Sequence, residues 1–399
     1  MNSSQSLTLD QACDFIVDCL HNTAPIQDEG YPSIRTPNIG KGRLLLDGVN
    51  RVSEETYRIW TQRAVPEAGD LILAREAPAG NVAVVKEGEK VCLGQRTVHL
   101  RPNRQVVDPD FLCYFLLAPP QQGRLLAAET GATAKHVNML DIRRLELPNL
   151  PALASQRKAG EILAAYDDLI ENNRRRMALL EESARLLYRE WFVRLRFPGY
   201  EHTPVVDGVP QGWERRTLGN LCCEIRDMVL PEALEPDTPY IGLEHIPRRS
   251  ISLNEWGTVD EVTSSKSRFK MGEIIFGKIR PYFHKVGVAF VDGVASSDAI
   301  VVRPAEITLH GLVLMTMSSD EFVAVTAQQM KEGSKMPRAD WKQMKAYPVP
   351  VPPSGLLSNF DGVIQPIVEQ LKSISLANQK LRIARDLLLP RLMSGELAV

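Results

Sequence analysis

The residues best suited to binding chemistry are basic and amide side chains crowded into short loops. Four such stretches occur: Gly94-Gln-Arg-Thr97, Thr130-Gly-Ala-Thr-Ala-Lys-His-Val-Asn138, Lys278-Ile-Arg-Pro-Tyr-Phe-His-Lys285 and Glu332-Gly-Ser-Lys-Met-Pro-Arg338. Arg and Lys match the O6 and N7 acceptors of guanine. Asn and Gln match the N6 and N7 pair of adenine, and Lys, Ser and Thr hold phosphates. The candidate contacts to a nucleic acid are therefore Arg75, Gln95, Arg96, Lys135, His136, Asn138, Lys278, Arg280, His284, Lys285, Lys335 and Arg338. Taken singly, each loop reads first as ordinary solvated charge. Arg101-Pro102 and Arg303-Pro304 read as strand ends instead.

Catalytic signatures are missing where they would be expected. The chain has no G-x-x-x-x-G-K-[ST] phosphate loop, no G-x-S-x-G elbow and no H-E-x-x-H pair. No Gly-rich strand-to-helix turn or Asn-Pro-Pro-Tyr-type loop suits S-adenosylmethionine. Asp108-Pro-Asp110 resembles half of a nuclease site, but no Glu-x-Lys follows it. The six cysteines, 13, 19, 92, 113, 222 and 223, form no C-x-x-C and no zinc spacing, so no metal site is predicted. Reduced thiols of a cytoplasmic protein are the expectation. The start of the chain lacks the pattern of a signal peptide, and no apolar run approaches the ~18 residues of a membrane span.

Charge alone announces no partner. The net charge is −2 over 399 residues. Residues 1–150 carry 16 Lys+Arg against 18 Asp+Glu, and residues 193–350 carry 19 against 20. A nucleic-acid surface in either region requires that charges be sorted onto separate faces.

The elements that must position these loops are legible. Residues 1–150 read as short strands, Leu71-Ile-Leu, Val82-Ala-Val-Val and Thr97-Val-His-Leu, with a helix over 110–117. Residues 155–192 then hold no Pro, and apart from one gap apolar residues recur every three or four positions: Ile162, Tyr166, Leu169, Met177, Leu180, Ala184, Leu187 and Trp191. This predicts one helix of roughly 55 Å, with Asn173 as a polar residue in its seam.

The grammar of the first region then repeats. Leu9-Asp-Gln-Ala-Cys13 aligns with Leu218-Gly-Asn-Leu-Cys222, and Pro32-Ser-Ile with Pro239-Tyr-Ile. Gly69-Asp-Leu-Ile-Leu-Ala-Arg75 aligns with Gly272-Glu-Ile-Ile-Phe-Gly-Lys278, and Val98-His-Leu-Arg-Pro102 with Ile300-Val-Val-Arg-Pro304. Gly131 aligns with Gly333, and Leu145-Glu-Leu-Pro148 with Tyr347-Pro-Val-Pro350. The offsets are 209, 207, 203, 202, 202 and 202, and six collinear matches argue for an internal repeat. The helix recurs too, with a twin over 366–392. Its seam is Ile367, Leu371, Ile374, Asn378, Leu381 and Leu388, with Pro366 in the first turn, a charged Arg385 in one heptad slot, and Pro390 kinking or ending the helix. The expected α+β fold is two repeated mixed α/β domains separated by two long antiparallel helices that form a coiled coil, with internal pseudo-two-fold symmetry.

Several segments resemble the specificity subunit of type I restriction–modification enzymes. They are Leu150-Pro-Ala-Leu-Ala-Ser-Gln-Arg-Lys-Ala-Gly-Glu-Ile-Leu163, Ile170-Glu-Asn-Asn-Arg-Arg-Arg176, Ala184-Arg-Leu-Leu-Tyr-Arg-Glu-Trp-Phe-Val193, Asn378-Gln-Lys-Leu-Arg and Ala384-Arg-Asp-Leu-Leu-Leu-Pro-Arg-Leu-Met-Ser-Gly-Glu-Leu397. Phe15-Ile-Val-Asp-Cys-Leu-His21 and Tyr31-Pro-Ser-Ile-Arg-Thr-Pro-Asn-Ile39 resemble openings of that family's first domain. The resemblance implies a first target-recognition domain over 1–150, a spacer helix over 151–195, a second recognition domain over 196–352 and a second spacer helix over 353–399. It implies that each domain reads one half of a split, asymmetric site on double-stranded DNA. The helices would set the spacing and dock two methyltransferase subunits, to which restriction/translocase subunits add. Such a chain is not itself catalytic, and S-adenosylmethionine is expected on the methyltransferase. The alternative is a coiled-coil scaffold that binds only protein.

Overall fold

The computed structural model describes residues 7–130, 135–328, 337–397 and 399. The chain forms two compact units, Met1–Glu171 with Lys380–Val399, and Asn172–Gln379. The fold is mixed α/β with long helices. Among the described residues, no helix is long and apolar enough to cross a membrane.

The first unit is built on a five-stranded mixed sheet. Its strands are β1 (Cys13–Asp18), β2 (Gly42–Arg43), β3 (Leu71–Ala74), β4 (Val82–Val84) and β5 (Thr97–Pro102), in the spatial order β1-β5-β3-β4-β2, with β2 parallel to β4 and the other pairings antiparallel. Successive side chains of a strand point to opposite faces, and β3 uses both. Leu71 and Leu73 join the core that holds Phe111 and Leu163, while Ile72 and Ala74 join a second core with Ile34 and Val91. Helix α1 (Pro109–Leu117) starts on Asp108, whose carboxylate accepts the Phe111 amide at 2.9 Å. Pro109 opens the first turn, where a missing N–H costs little. Asp110 is held by Lys86 Nζ at 2.9 Å. The Asp-Pro-Asp stretch is thus a helix start and not half of a nuclease site. From Leu153 the chain enters α2 (Leu153–Tyr188), 36 residues long, which ends in a π-helical turn at Arg189–Val193.

The second unit also has a five-stranded mixed sheet. Its strands are β6 (Cys222–Ile225), β7 (Ser252–Leu253), β8 (Ile274–Gly277), β9 (Val286–Ala289) and β10 (Ala299–Pro304), ordered β6-β10-β8-β9-β7, with β7 parallel to β9. Ile274 and Phe276 point into the larger core, and Ile275 points into the one with Ile241 and Phe269. The helices that follow include α3 (Asp320–Gln328) and α4 (Ser354–Met393).

Helix α4 departs from expectation. It starts at Ser354, so Pro366 lies in its interior instead of its first turn. An interior proline costs about 3 kcal/mol. Against that, the added turns bury Leu357, Phe360 and Ile364, each worth about 1.5–3 kcal/mol. Pro366 and Gly362 both face solvent, so water can satisfy the carbonyl that loses its partner. Pro390 does not end the helix either, because Leu392 and Met393 bury in the first unit's core beyond it.

Each unit pairs a segment of α2 with a segment of α4. In the second unit Asn173 Nδ2 donates to Asn378 Oδ1 at 2.8 Å, and Arg176 Nη2 donates to Gln370 Oε1 at 3.2 Å. In the first unit Arg385 pairs with Asp167, a buried carboxylate that also accepts the Tyr114 hydroxyl at 2.6 Å. The charged heptad slot is therefore filled by an ion pair. Of the seam residues, Ile367, Leu371, Ile374 and Asn378 are buried, while Ile162, Tyr166, Asn173, Leu180, Leu187, Leu381 and Leu388 are half-buried. Leu169 is 47% exposed and lies off the packed stripe. The inward positions near it are Leu163, Ala164 and Asp167, because the helix turns its face by about 20° per heptad.

Candidate nucleic-acid interface

In the first unit three segments meet beside the end of β3. The Arg75 amide donates to the Arg96 carbonyl at 3.1 Å, and the Val137 amide donates to the Arg75 carbonyl at 2.9 Å. Glu76 forms an isolated bridge with His136. This brings Arg75, Gln95, Arg96, Lys135, His136 and Asn138 into one cluster. Much of its charge is already matched. Arg96 Nε lies 3.2 Å from Glu76 Oε1, and Arg75 Nη1 lies 4.0 Å from Asp18 Oδ2. Gln95 Nε2 donates to the His21 carbonyl at 2.7 Å. Asn138 Nδ2 reaches Thr130 Oγ1 and Asp141 Oδ2, each at 3.3 Å. Arg75 is largely buried, whereas Arg96, Lys135 and Asn138 are exposed.

The second unit has a counterpart beside the end of β8. The Lys278 amide donates to the Asp298 carbonyl at 2.8 Å, the Ala339 amide donates to the Lys278 carbonyl at 2.9 Å, and Ile279 bridges Arg338. Arg338 Nη2 lies 3.2 Å from Asp298 Oδ1. Arg280 and Arg338 are exposed on this cluster.

Three sequence candidates in this unit are tied to backbone carbonyls. His284 is buried, with Nε2 2.7 Å from the Ser318 carbonyl, and burial pushes its pKa down. Lys285 donates to the Leu243 carbonyl, and Lys278 Nζ donates to the Ser297 carbonyl at 3.0 Å. Burial lowers the pKa of both lysines, since a desolvated ammonium is disfavoured. All three groups are tied to backbone carbonyls; His284 is buried, and the two lysines are half-buried. Lys335, and the aligned pair Gly131 and Gly333, lie outside the described residues.

Other polar groups that anchor these surfaces carried no sequence motif. Asp70 of the first unit is bound by His99 Nε2 at 2.6 Å and by Arg101 Nε at 2.9 Å. Burial alone would raise its pKa, but these bonds outweigh it and hold the carboxyl at about 2. Glu273 plays the matching part in the second unit, accepting from Arg303 Nε at 2.6 Å. Glu181, buried on α2, accepts the hydroxyls of Ser250 and Ser252 at 2.7 and 2.6 Å. Only a local Arg-Pro at each strand end hinted at the first two.

Burial pushes the thiols of Cys13 and Cys222 to about 12 and that of Cys92 to about 11, the wrong direction for a nucleophile. Among the described residues, no three His, Cys, Asp or Glu side chains converge to hold a metal ion.

Comparison with known proteins gives a consistent picture. Residues 22–182 match the model of the type I restriction modification DNA specificity domain. The type I restriction enzyme MjaIX specificity subunit of Methanocaldococcus jannaschii is 22% identical over 375 residues, spanning 88% of this chain and 83% of that one. The type I restriction enzyme EcoDI specificity subunit of Escherichia coli is 31% identical over 122 residues, 30% of this chain and 26% of that one. Among solved structures, the S subunit of a type I restriction–modification system from M. genitalium superimposes with a TM-score of 0.62 at 15% identity, covering 98% of this chain and 97% of that one. That last likeness is one of fold.

Proposed function

Because the chain belongs to the specificity subunits of type I restriction–modification systems, we propose that its two units are copies of one recognition design, each reading half of a bipartite, asymmetric site on double-stranded DNA. The recognition domains are assigned to 1–150 and 196–352, and the spacer helices to 151–195 and 353–399. The α2 and α4 segments act as an antiparallel coiled coil that sets the gap between half-sites.

One observation carries this reading: the two sheets share strand order, parallel edge and backbone bonding register. Arg75 N to Arg96 O corresponds to Lys278 N to Asp298 O, and Leu9 N to Leu145 O corresponds to Leu218 N to Tyr347 O. The bridges Glu76 to His136 and Ile279 to Arg338 correspond as well. These pairs are separated by the offsets of 202–209 residues found in the sequence.

The chain is a non-catalytic, cytoplasmic subunit in this reading. S-adenosylmethionine belongs to the methyltransferase, two copies of which dock on the helices, with restriction/translocase subunits added to them. In support, α2 and the turn after it leave Leu179, Leu186 and Val193 exposed at seven-residue spacing within the second unit, an outward apolar stripe of the kind a partner covers. The near-neutral units suit a chain whose tight DNA binding is completed by that partner.

Co-expression with the methyltransferase in a host free of other adenine or cytosine modification tests the reading. Single-molecule sequencing is expected to find one recurrent split site, modified only when both chains are present. Methylation without any common site would favour a scaffold that binds protein alone.

A further inference from the structure

The turn between β8 and β9 differs from its counterpart between β3 and β4. Both enter through a non-glycine residue in the left-handed region followed by proline, Ala77 at φ 51° before Pro78 and Arg280 at φ 50° before Pro281. Thereafter the first turn carries only Ala79 and Gly80, while the second carries Tyr282, Phe283 and His284. His284 is itself at φ 55°, as is Arg249, whose amide donates to the His284 carbonyl at 2.9 Å. Three such residues in one place are costly, and they persist only where surrounding contacts enforce them. Here the Arg280 amide donates to the Pro337 carbonyl at 3.0 Å, the Phe283 amide to the Arg280 carbonyl at 2.8 Å, and the His284 amide to the Pro281 carbonyl at 2.8 Å. The buried His284 ring, tied to Ser318, fixes the turn from below.

What this pedestal displays is an exposed aromatic ring beside a second ring that carries two cations. Tyr282 is 53% exposed, and its ring meets Phe283 edge-on at 5.0 Å between centroids. Phe283 in turn carries the Arg248 guanidinium at 4.0 Å and that of Arg280 at 5.8 Å. Both arginines are exposed. Among the described residues, neither is matched by a carboxylate, unlike Arg249, which pairs with Asp320 at 2.8 Å. A nucleobase presents a flat π-face with phosphates to either side, and aromatic stacking flanked by Arg is the chemistry that captures it. A ring held by a rigid turn also loses little freedom on binding.

We propose that Tyr282 stacks on, or wedges into, a base step of the DNA half-site read by the second unit, while Arg280 and Arg248 hold the flanking phosphates. The first unit's matching turn has no ring, so the two half-sites are gripped by different means. This rests on the DNA-recognition reading above.

The test compares Tyr282→Ala and Tyr282→Phe with the parent chain, each assembled with the methyltransferase, on duplexes bearing the mapped site. 2-Aminopurine is placed in turn at each step of either half-site. The parent is expected to raise fluorescence at one step of the second unit's half-site. Tyr282→Ala should lose that signal and bind about 10- to 100-fold more weakly, whereas Tyr282→Phe should retain both. Unchanged thermal unfolding of the alanine variant excludes a folding defect. If Tyr282→Ala binds and modifies like the parent, or if Tyr282→Phe fails as badly, the stacking proposal is overturned. If the parent itself modifies no split site, it is the functional reading that fails.

Discussion

Asn173 shows what a single residue can specify. It donates to Asn378 at 2.8 Å across two helices of the second unit, and Asn378 is buried. An amide pair in an apolar seam fixes register by making every shifted alignment leave polar groups unsatisfied. Asn173→Ala is expected to lower stability by about 1–2 kcal/mol in denaturant unfolding, because it takes a bond from a buried amide. The double replacement Asn173→Leu with Asn378→Leu should recover that loss or exceed it. A single variant as stable as the parent would show that the bond contributes nothing. Both amides were legible from their place in the heptads. The inward turn of His284 and Lys285 was not, since residue type in a loop does not reveal which way the side chain points. Asp167 was likewise invisible as a partner for Arg385, because the two are separated by most of the chain.

At the scale of elements, the strands Leu71–Ala74 and Val82–Val84 were readable because each is an unbroken apolar run with turn residues on both sides. Each unit also holds a second sheet, three-stranded in the first and five-stranded in the second, whose strands, such as Tyr31–Ile34 and Met228–Val229, are too short to carry a periodic signal. The start of α4 was misplaced because Pro366 is a strong local breaker, yet the burial of Phe360 and Ile364 outweighs it. The Asp70 cluster ties β3 to β5 and makes this element sensitive to acid. Its hydrogen bonds to His99 and Arg101 hold the carboxyl at about 2 in the fold, below the 3.8 of an ordinary aspartate. A depressed pKa means that the ionised form is favoured by folding. The stabilisation is complete above the unfolded pKa and disappears as pH falls from about 4 to about 2, and it amounts to about 2 kcal/mol. Unfolding of the parent and of Asp70→Asn, followed from pH 6 to pH 2, should converge at the acid end. A constant difference across that range would contradict the assignment.

For the molecule as a whole, the sequence offsets of 202–209 residues recur as the separations of matching backbone bonds, so this repeated spacing was the most legible feature of the chain. Target bases were not legible. Both units share one backbone platform, and in the proposed reading discrimination rests on a few loop side chains whose geometry no pattern encodes. The central claim is that two readers are held apart by a helical ruler. Paired seven-residue insertions, one heptad beside Asn173 and one beside Asn378, lengthen both helices by roughly 10 Å, about three base pairs at 3.4 Å each. The deciding measurement is the methylome of cells expressing the methyltransferase with either the parent or the lengthened chain. The account predicts two unchanged half-sites separated by a gap about three base pairs longer. An unchanged gap, or new half-sites at the old spacing, would contradict it.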